Sequence, residues 1–184
     1  FGMVGEADDI WGHPPIIWLD NIRLFKLKEF NEMKKWFHRY AQTKPTDIKD
    51  HPQEKEIKYL INRGILEPKS GQKFEPNSTI TEAEFVTALA KWSNNPLLVS
   101  NSSIPLTKII AAKWIYILNG TPDTDKRYAS ILTKHGAGTL TDELHYTFEK
   151  GIIGLETDFT KHQLTRAEAA LLIMRTMDTG YRLP

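Results

Sequence analysis

The chain has 184 residues, 40% of them hydrophobic, with 24 basic against 23 acidic residues, six histidines and no cysteine. That is long and apolar enough for one compact domain or two small ones, which excludes disorder. The formal charge of +1 gives no global attraction for duplex nucleic acid, and the lack of cysteine excludes disulfide scaffolds and thiolate metal sites.

The N-terminus, Phe1-Gly2-Met3-Val4-Gly5 followed by Glu6, Asp8 and Asp9, has no basic patch leading into an apolar run. Without a methionine at position 1, the chain is expected to be a processed or trimmed product. From Ile16 to about Gln42 the apolar residues Leu19, Ile22, Phe25, Phe30, Met33, Trp36, Phe37 and Tyr40 recur mostly every three or four positions, which is helical period. Pro45 ends that run. A second helix is expected from about Pro52 to Arg63, with Ile57, Leu60 and Ile61 on one face and Gly64 stopping it in a left-handed turn. A loop from Glu67 to Thr79 follows, holding Pro68, Gly71, Phe74, Pro76 and Asn77. The third helix starts at Thr81 and carries Phe85, Val86, Ala88, Leu89 and Trp92.

Ser93 to Pro105 reads as a linker rich in Asn, Ser and Pro, although Leu97, Leu98 and Val99 imply that it packs onto something. Leu106 to Leu118 is expected to be helical and to stop at Asn119-Gly120-Thr121-Pro122. Its apolar stretch Ile115 to Leu118 falls far short of the roughly 20 residues a membrane helix needs, so no membrane insertion is expected. Short helices are expected at Ala129 to Lys134 and Asp142 to Lys150, and a final one from Thr165 to about Met177.

Two stretches of this chain can be laid over one another. Ile57-x-x-Leu60-Ile61-x-x-Gly64-Ile65-Leu66, a loop with Phe74, then Ile80-Thr81-Glu82-Ala83-Glu84 matches Leu144-x-x-Thr147-Phe148-x-x-Gly151-Ile152-Ile153, a loop with Phe159, then Leu164-Thr165-Arg166-Ala167-Glu168. Each glycine ends a helix and the apolar pair after it turns the chain into the core. Thr-x-x-Glu is a capping box, the threonine and glutamate satisfying each other's backbone N–H groups. Leu106-Thr107-Lys108-Ile109-Ile110-Ala111 reads as an eroded third copy of the capped helix.

This pattern resembles the S-layer homology module of bacterial surface proteins, best at Gly64 to Leu89 and Gly151 to Met174. The resemblance implies an all-α fold of tandem helix-loop-helix repeats packed as a helical bundle. Along the chain it divides into a first unit at 1–95, a linker at 96–103 and a second unit at 104–184, with three modules as the competing count. It further implies a non-catalytic anchoring module, secreted to the surface or wall of a Gram-positive bacterium, that binds an anionic secondary cell-wall polysaccharide, often pyruvylated. In that family the basic residue after the capping threonine contacts the acidic sugar, which points to Arg166 and to Lys108, with Thr165 and Glu168 at the same helix start. An arginine fork beside a helix N-terminus with unpaired N–H groups suits a carboxylate. Glu82 departs from the pattern and would repel an anion. A purely structural role for Thr81, Glu84, Thr165 and Glu168 as caps is the plainer reading, and Trp36, Trp92 and Trp114 are expected in the core.

Enzyme signatures are missing. None of His13, His38, His51, His135, His145 and His162 forms a His-x-x-x-His pair. Asp123 and Asp125 lack the glycine and distal glutamate of a calcium loop, and His135-Gly136-Ala137-Gly138 lacks the lysine of a phosphate cradle. No metal, cofactor or nucleic-acid partner is expected. The alternative to wall binding is a degenerate module that lost its sugar and serves protein–protein assembly.

Overall fold

A computed structural model describes residues 45–70, 72–124, 126–134, 142–155 and 158–178. The expected helix from Ile16 to Gln42, with Trp18 and Trp36, and the loop at His135 to Gly138 lie outside the described residues. Within them the chain forms α1 (Glu54–Asn62), α2 (Glu82–Ser93), α3 (Lys108–Leu118), a 3-10 turn (Lys126–Tyr128), α4 (Ala129–Lys134), α5 (Asp142–Glu149) and α6 (Arg166–Asp178). Only isolated bridges occur between extended residues, so the described part of the fold is all-α.

The helix ends follow the local chemistry. Gly64 at φ +67° follows α1, and Gly151 at φ +69° follows α5. At the first, the Gly64 N–H donates to Ile61 O at 2.9 Å and those of Ile65 and Leu66 both reach Leu60 O. At the second, Gly151 donates to Phe148 O at 2.9 Å, and Ile152 and Ile153 both reach Thr147 O. In each case the left-handed residue lets the chain satisfy the last carbonyls while sending the next two side chains inward. All four of those side chains are buried, as are the loop aromatics Phe74 and Phe159. Thr147, where the first stretch has Leu60, is fully buried and donates its hydroxyl to Glu143 O at 2.7 Å, so the substitution leaves no unpaired polar atom.

The helix starts are less uniform. Thr81 and Glu84 form a complete capping box on α2. Thr165 and Glu168 do the same for α6, at 2.7 and 3.2 Å. Thr107 has extended backbone but caps nothing with its side chain, and its buried Oγ1 has no partner. Ile110 stands where a glutamate would close the box.

Residues just before these three threonines meet in the buried core of the described residues. Ile80 N–H donates to Leu164 O at 3.1 Å, Leu164 N–H to Leu106 O at 2.7 Å, and Leu106 N–H to Ile80 O at 2.9 Å, closing a ring. The three side chains are buried. Extended backbone in a dry core must find partners for its amides, and the ring supplies them. Around it α6 packs on α1, α3 on α5, and α2 touches both α3 and α6.

The described segments on either side of residues 96–103 are therefore interleaved, since α6 packs on α1. Leu98 is buried, and the Ser102 and Ile104 carbonyls accept from Ala83 and Glu82 N–H, so this stretch folds back over the start of α2. Trp92 and Trp114 lie against the core rather than within it. The Trp114 ring N–H donates to Glu82 Oε1 at 2.8 Å, which keeps the polar edge of that indole at the margin of the core.

Candidate functional site

Arg166 is the first residue of α6 and is only 3% exposed. It is buried because the helix start seats on the loop that follows α1. Arg166 N–H donates to Ser78 O at 2.9 Å, Ala167 N–H to Pro76 O at 3.0 Å, and Glu168 N–H to Thr165 Oγ1 at 3.2 Å. The expected unpaired amides are thus all occupied, and an approaching anion meets side chains, not backbone. The same holds at α2, where Glu82, Ala83 and Glu84 N–H groups are engaged.

The guanidinium is clamped. Its Nε donates to Phe74 O at 2.8 Å, Nη2 to Glu67 O at 2.6 Å and Nη1 to Glu84 Oε1 at 3.2 Å, and it stacks 4.6 Å from the Phe74 ring centroid. Three of its five donors are spent on the protein. Burial works against its charge, while the carboxylates of Glu84, Glu75 and Asp47 favour it; the burial prevails and lowers its pKa. Asp47 in turn receives the Phe74 and Glu75 N–H groups at 2.8 and 2.7 Å, which fixes the loop carrying the stacked ring.

Beside Arg166 lies a cleft of about 380 Å³, walled by residues 65–69 on one side and by Ala83, Glu84, Thr87 and Lys91 of α2 on the other. Lys91 Nζ reaches Glu67 Oε1 at 2.6 Å, and Lys69 has no ion-pair partner among the described residues. A cleft with three cations and two carboxylates can hold an anionic ligand at its basic edge, with the apolar wall of Ile65, Leu66 and Pro68 facing the rest of it.

Lys108 begins α3 as Arg166 begins α6, yet it does not line this cleft. It is 6% exposed, donates from Nζ to Gly154 O at 3.0 Å and sits 5.6 Å from the Phe159 ring centroid. Glu82 begins α2 and accepts the Trp114 ring N–H at 2.8 Å. Thr165 and Glu168 serve each other, and Glu168 Oε1 also meets His162 Nε2 at 2.9 Å. Burial would raise the Glu168 pKa, but hydrogen bonds from Thr165 and His162 outweigh it and hold the carboxyl below its usual range. Lys69, Lys91, Glu67 and Glu84 complete the cleft, and sequence reading gave none of the four a ligand role. The spacing of Glu84, Thr87 and Lys91, three and then four apart on one helix, was the available signal. No group of His, Asp or Glu able to hold a metal occurs among the described residues, and no helix among them is long and apolar enough to cross a membrane.

Residues 46–86 match the S-layer homology domain. The matched module takes in α1, the Gly64 turn, the Phe74 loop and the Thr81 capping box, and with them one wall of the cleft. Arg166 and Lys91 lie outside it. No curated protein and no solved structure matches the chain significantly. S-layer homology domains are non-catalytic binding modules associated with the cell surface and cell wall, so the module points to anchoring there.

Proposed function

We propose that this chain is a secreted wall anchor whose S-layer homology module binds an anionic secondary cell-wall polysaccharide, pyruvylated in the case the Arg166 fork would suit, on a Gram-positive surface. The observation that carries this reading is the coincidence of the matched module with a cleft bounded by its own loop and by Arg166. A cleft with a basic edge and an apolar wall, held in shape by a fixed guanidinium, suits a carboxylate-bearing sugar, because the charges are already in place before the ligand arrives. On this proposal the chain is built of three related units: Ile80, Leu106 and Leu164 are equivalent positions in them, and Arg166, Lys108 and Glu82 are equivalent first helical residues. The Arg166 junction carries an open cleft with a basic edge, so it is assigned the ligand role, with Lys108, Thr165 and Glu168 reinforcing the scaffold.

Purified protein is expected to co-sediment with sacculi that retain their polymer and not with acid-stripped sacculi. Arg166→Ala should weaken that binding, and it also removes three hydrogen bonds, so its folding is checked by circular dichroism. Thr87→Glu provides a variant independent of the fold: Thr87 is exposed on α2 and lines the cleft, and a carboxylate there should repel the polymer. Equal binding to both kinds of sacculi would refute the proposal.

A second reading, an assembly module that has lost its sugar, is favoured by one observation. The Arg166 guanidinium is satisfied by Glu84, Phe74 and Glu67, as a purely structural clasp would be. Under that reading Thr87→Glu has no effect on sacculus binding.

A further inference from the structure

Arg166 is nearly inaccessible, so a ligand in the cleft meets other charges first. Lys91 and Lys69 stand on its two walls, one on α2 and one on the turn after Pro68, where Lys69 N–H pairs with Lys73 O at 2.9 Å. The Lys91 side chain is 38% exposed, against 3% for that of Arg166. Two carboxylates compete for these cations, and their situations differ. Glu84 is committed at both oxygens, to Arg166 through Oε1 and to the Thr81 N–H through Oε2 at 2.9 Å. The Glu67 side chain is 74% exposed where it meets Lys91, and an exposed pair of that kind is cheap to open.

Resting on the anchoring reading above, we infer that Lys69 and Lys91 are the residues that grip the anionic group of the ligand, and that the Glu67 carboxylate is an internal competitor the ligand displaces from Lys91. Arg166 then acts as a positioning residue: through Glu67 O, Phe74 O and Glu84 it holds the two walls at the right separation. The Glu67 contact to Arg166 is made by the backbone carbonyl, so exchanging the side chain leaves the clasp intact.

Binding to polymer-bearing sacculi is measured for the full chain and for Lys69→Ala, Lys91→Ala, their combination, and Glu67→Gln. Each lysine variant is expected to weaken binding roughly two- to fivefold, the effect of one exposed ion pair, and the double variant more than either. Glu67→Gln should tighten binding by a similar factor and increase its dependence on salt, since binding then forms an ion pair without breaking one. Thermal unfolding should be little changed in all four. A double lysine variant that binds like the unaltered protein, or a Glu67→Gln that binds no tighter, overturns the inference while the anchoring reading stands. Failure of the unaltered protein to prefer polymer-bearing over stripped sacculi overturns both.

Discussion

Three threonines occupy the residue before a helix, and their side chains do different work. Thr81 and Thr165 each accept from the amide three residues on, with Glu84 and Glu168 returning the bond. Thr107 leaves its buried hydroxyl without a partner, a cost instead of a gain. Thr81→Ala and Thr165→Ala should each destabilise the protein by about 1 kcal/mol, while Thr107→Ala should be near neutral or slightly stabilising. Urea unfolding of the three variants checks this, and a loss at Thr107 equal to the other two would contradict it. The basic residues show the same dependence on surroundings. Arg166 and Lys108 were both legible as cations beside a capped helix, but only contacts distant in sequence, to Phe74 and Glu67 in one case and Gly154 in the other, decide that each is buried and what holds it.

At the level of elements, the helix–turn units are set by glycines in the left-handed region. A Cβ added at Gly64 or Gly151 would meet nothing within 4 Å, so substitution costs only backbone strain. Gly64→Ala and Gly151→Ala are expected to lower stability by about 1 to 2 kcal/mol each, and Asn at either site by less, because Asn tolerates this region; Asn94 already does so after α2 at φ +52°. Thermal unfolding of the Ala and Asn pair at each position tests strain against steric clash, since a clash would penalise the larger Asn more. Helix positions, the two glycine stops and both complete capping boxes were readable locally because each rests on residues within about one turn of one another. The 3-10 turn at Lys126–Tyr128 carried no such signature.

Across the described residues, the fold is closed by pairings far apart in the chain. α6 packs on α1, Leu164 completes the central ring, and Arg166 bridges Glu67, Phe74 and Glu84. The matched stretch at 46–86 therefore lacks a wall of its own core when α6 is gone. Truncation before Leu164 should abolish cooperative unfolding of the rest, seen as loss of a sigmoidal thermal transition; a truncated chain that still melts cooperatively would show that the N-terminal segment is self-sufficient. Cation placement at the cleft belongs to this scale as well, since Lys69, Lys91 and Arg166 come from three separate segments.

From the amino-acid order alone came the helical class, the two matched helix–turn–loop stretches and the caps, because each depends on periodicity or on bonds between near neighbours. The tertiary structure alone decided that the two halves interleave, that residues 94–105 fold back on α2, and that the helix-start amides are already taken by loop carbonyls. Those outcomes turn on which buried backbone groups find one another across the core, and hydrogen-bond satisfaction between distant segments leaves no mark in local composition.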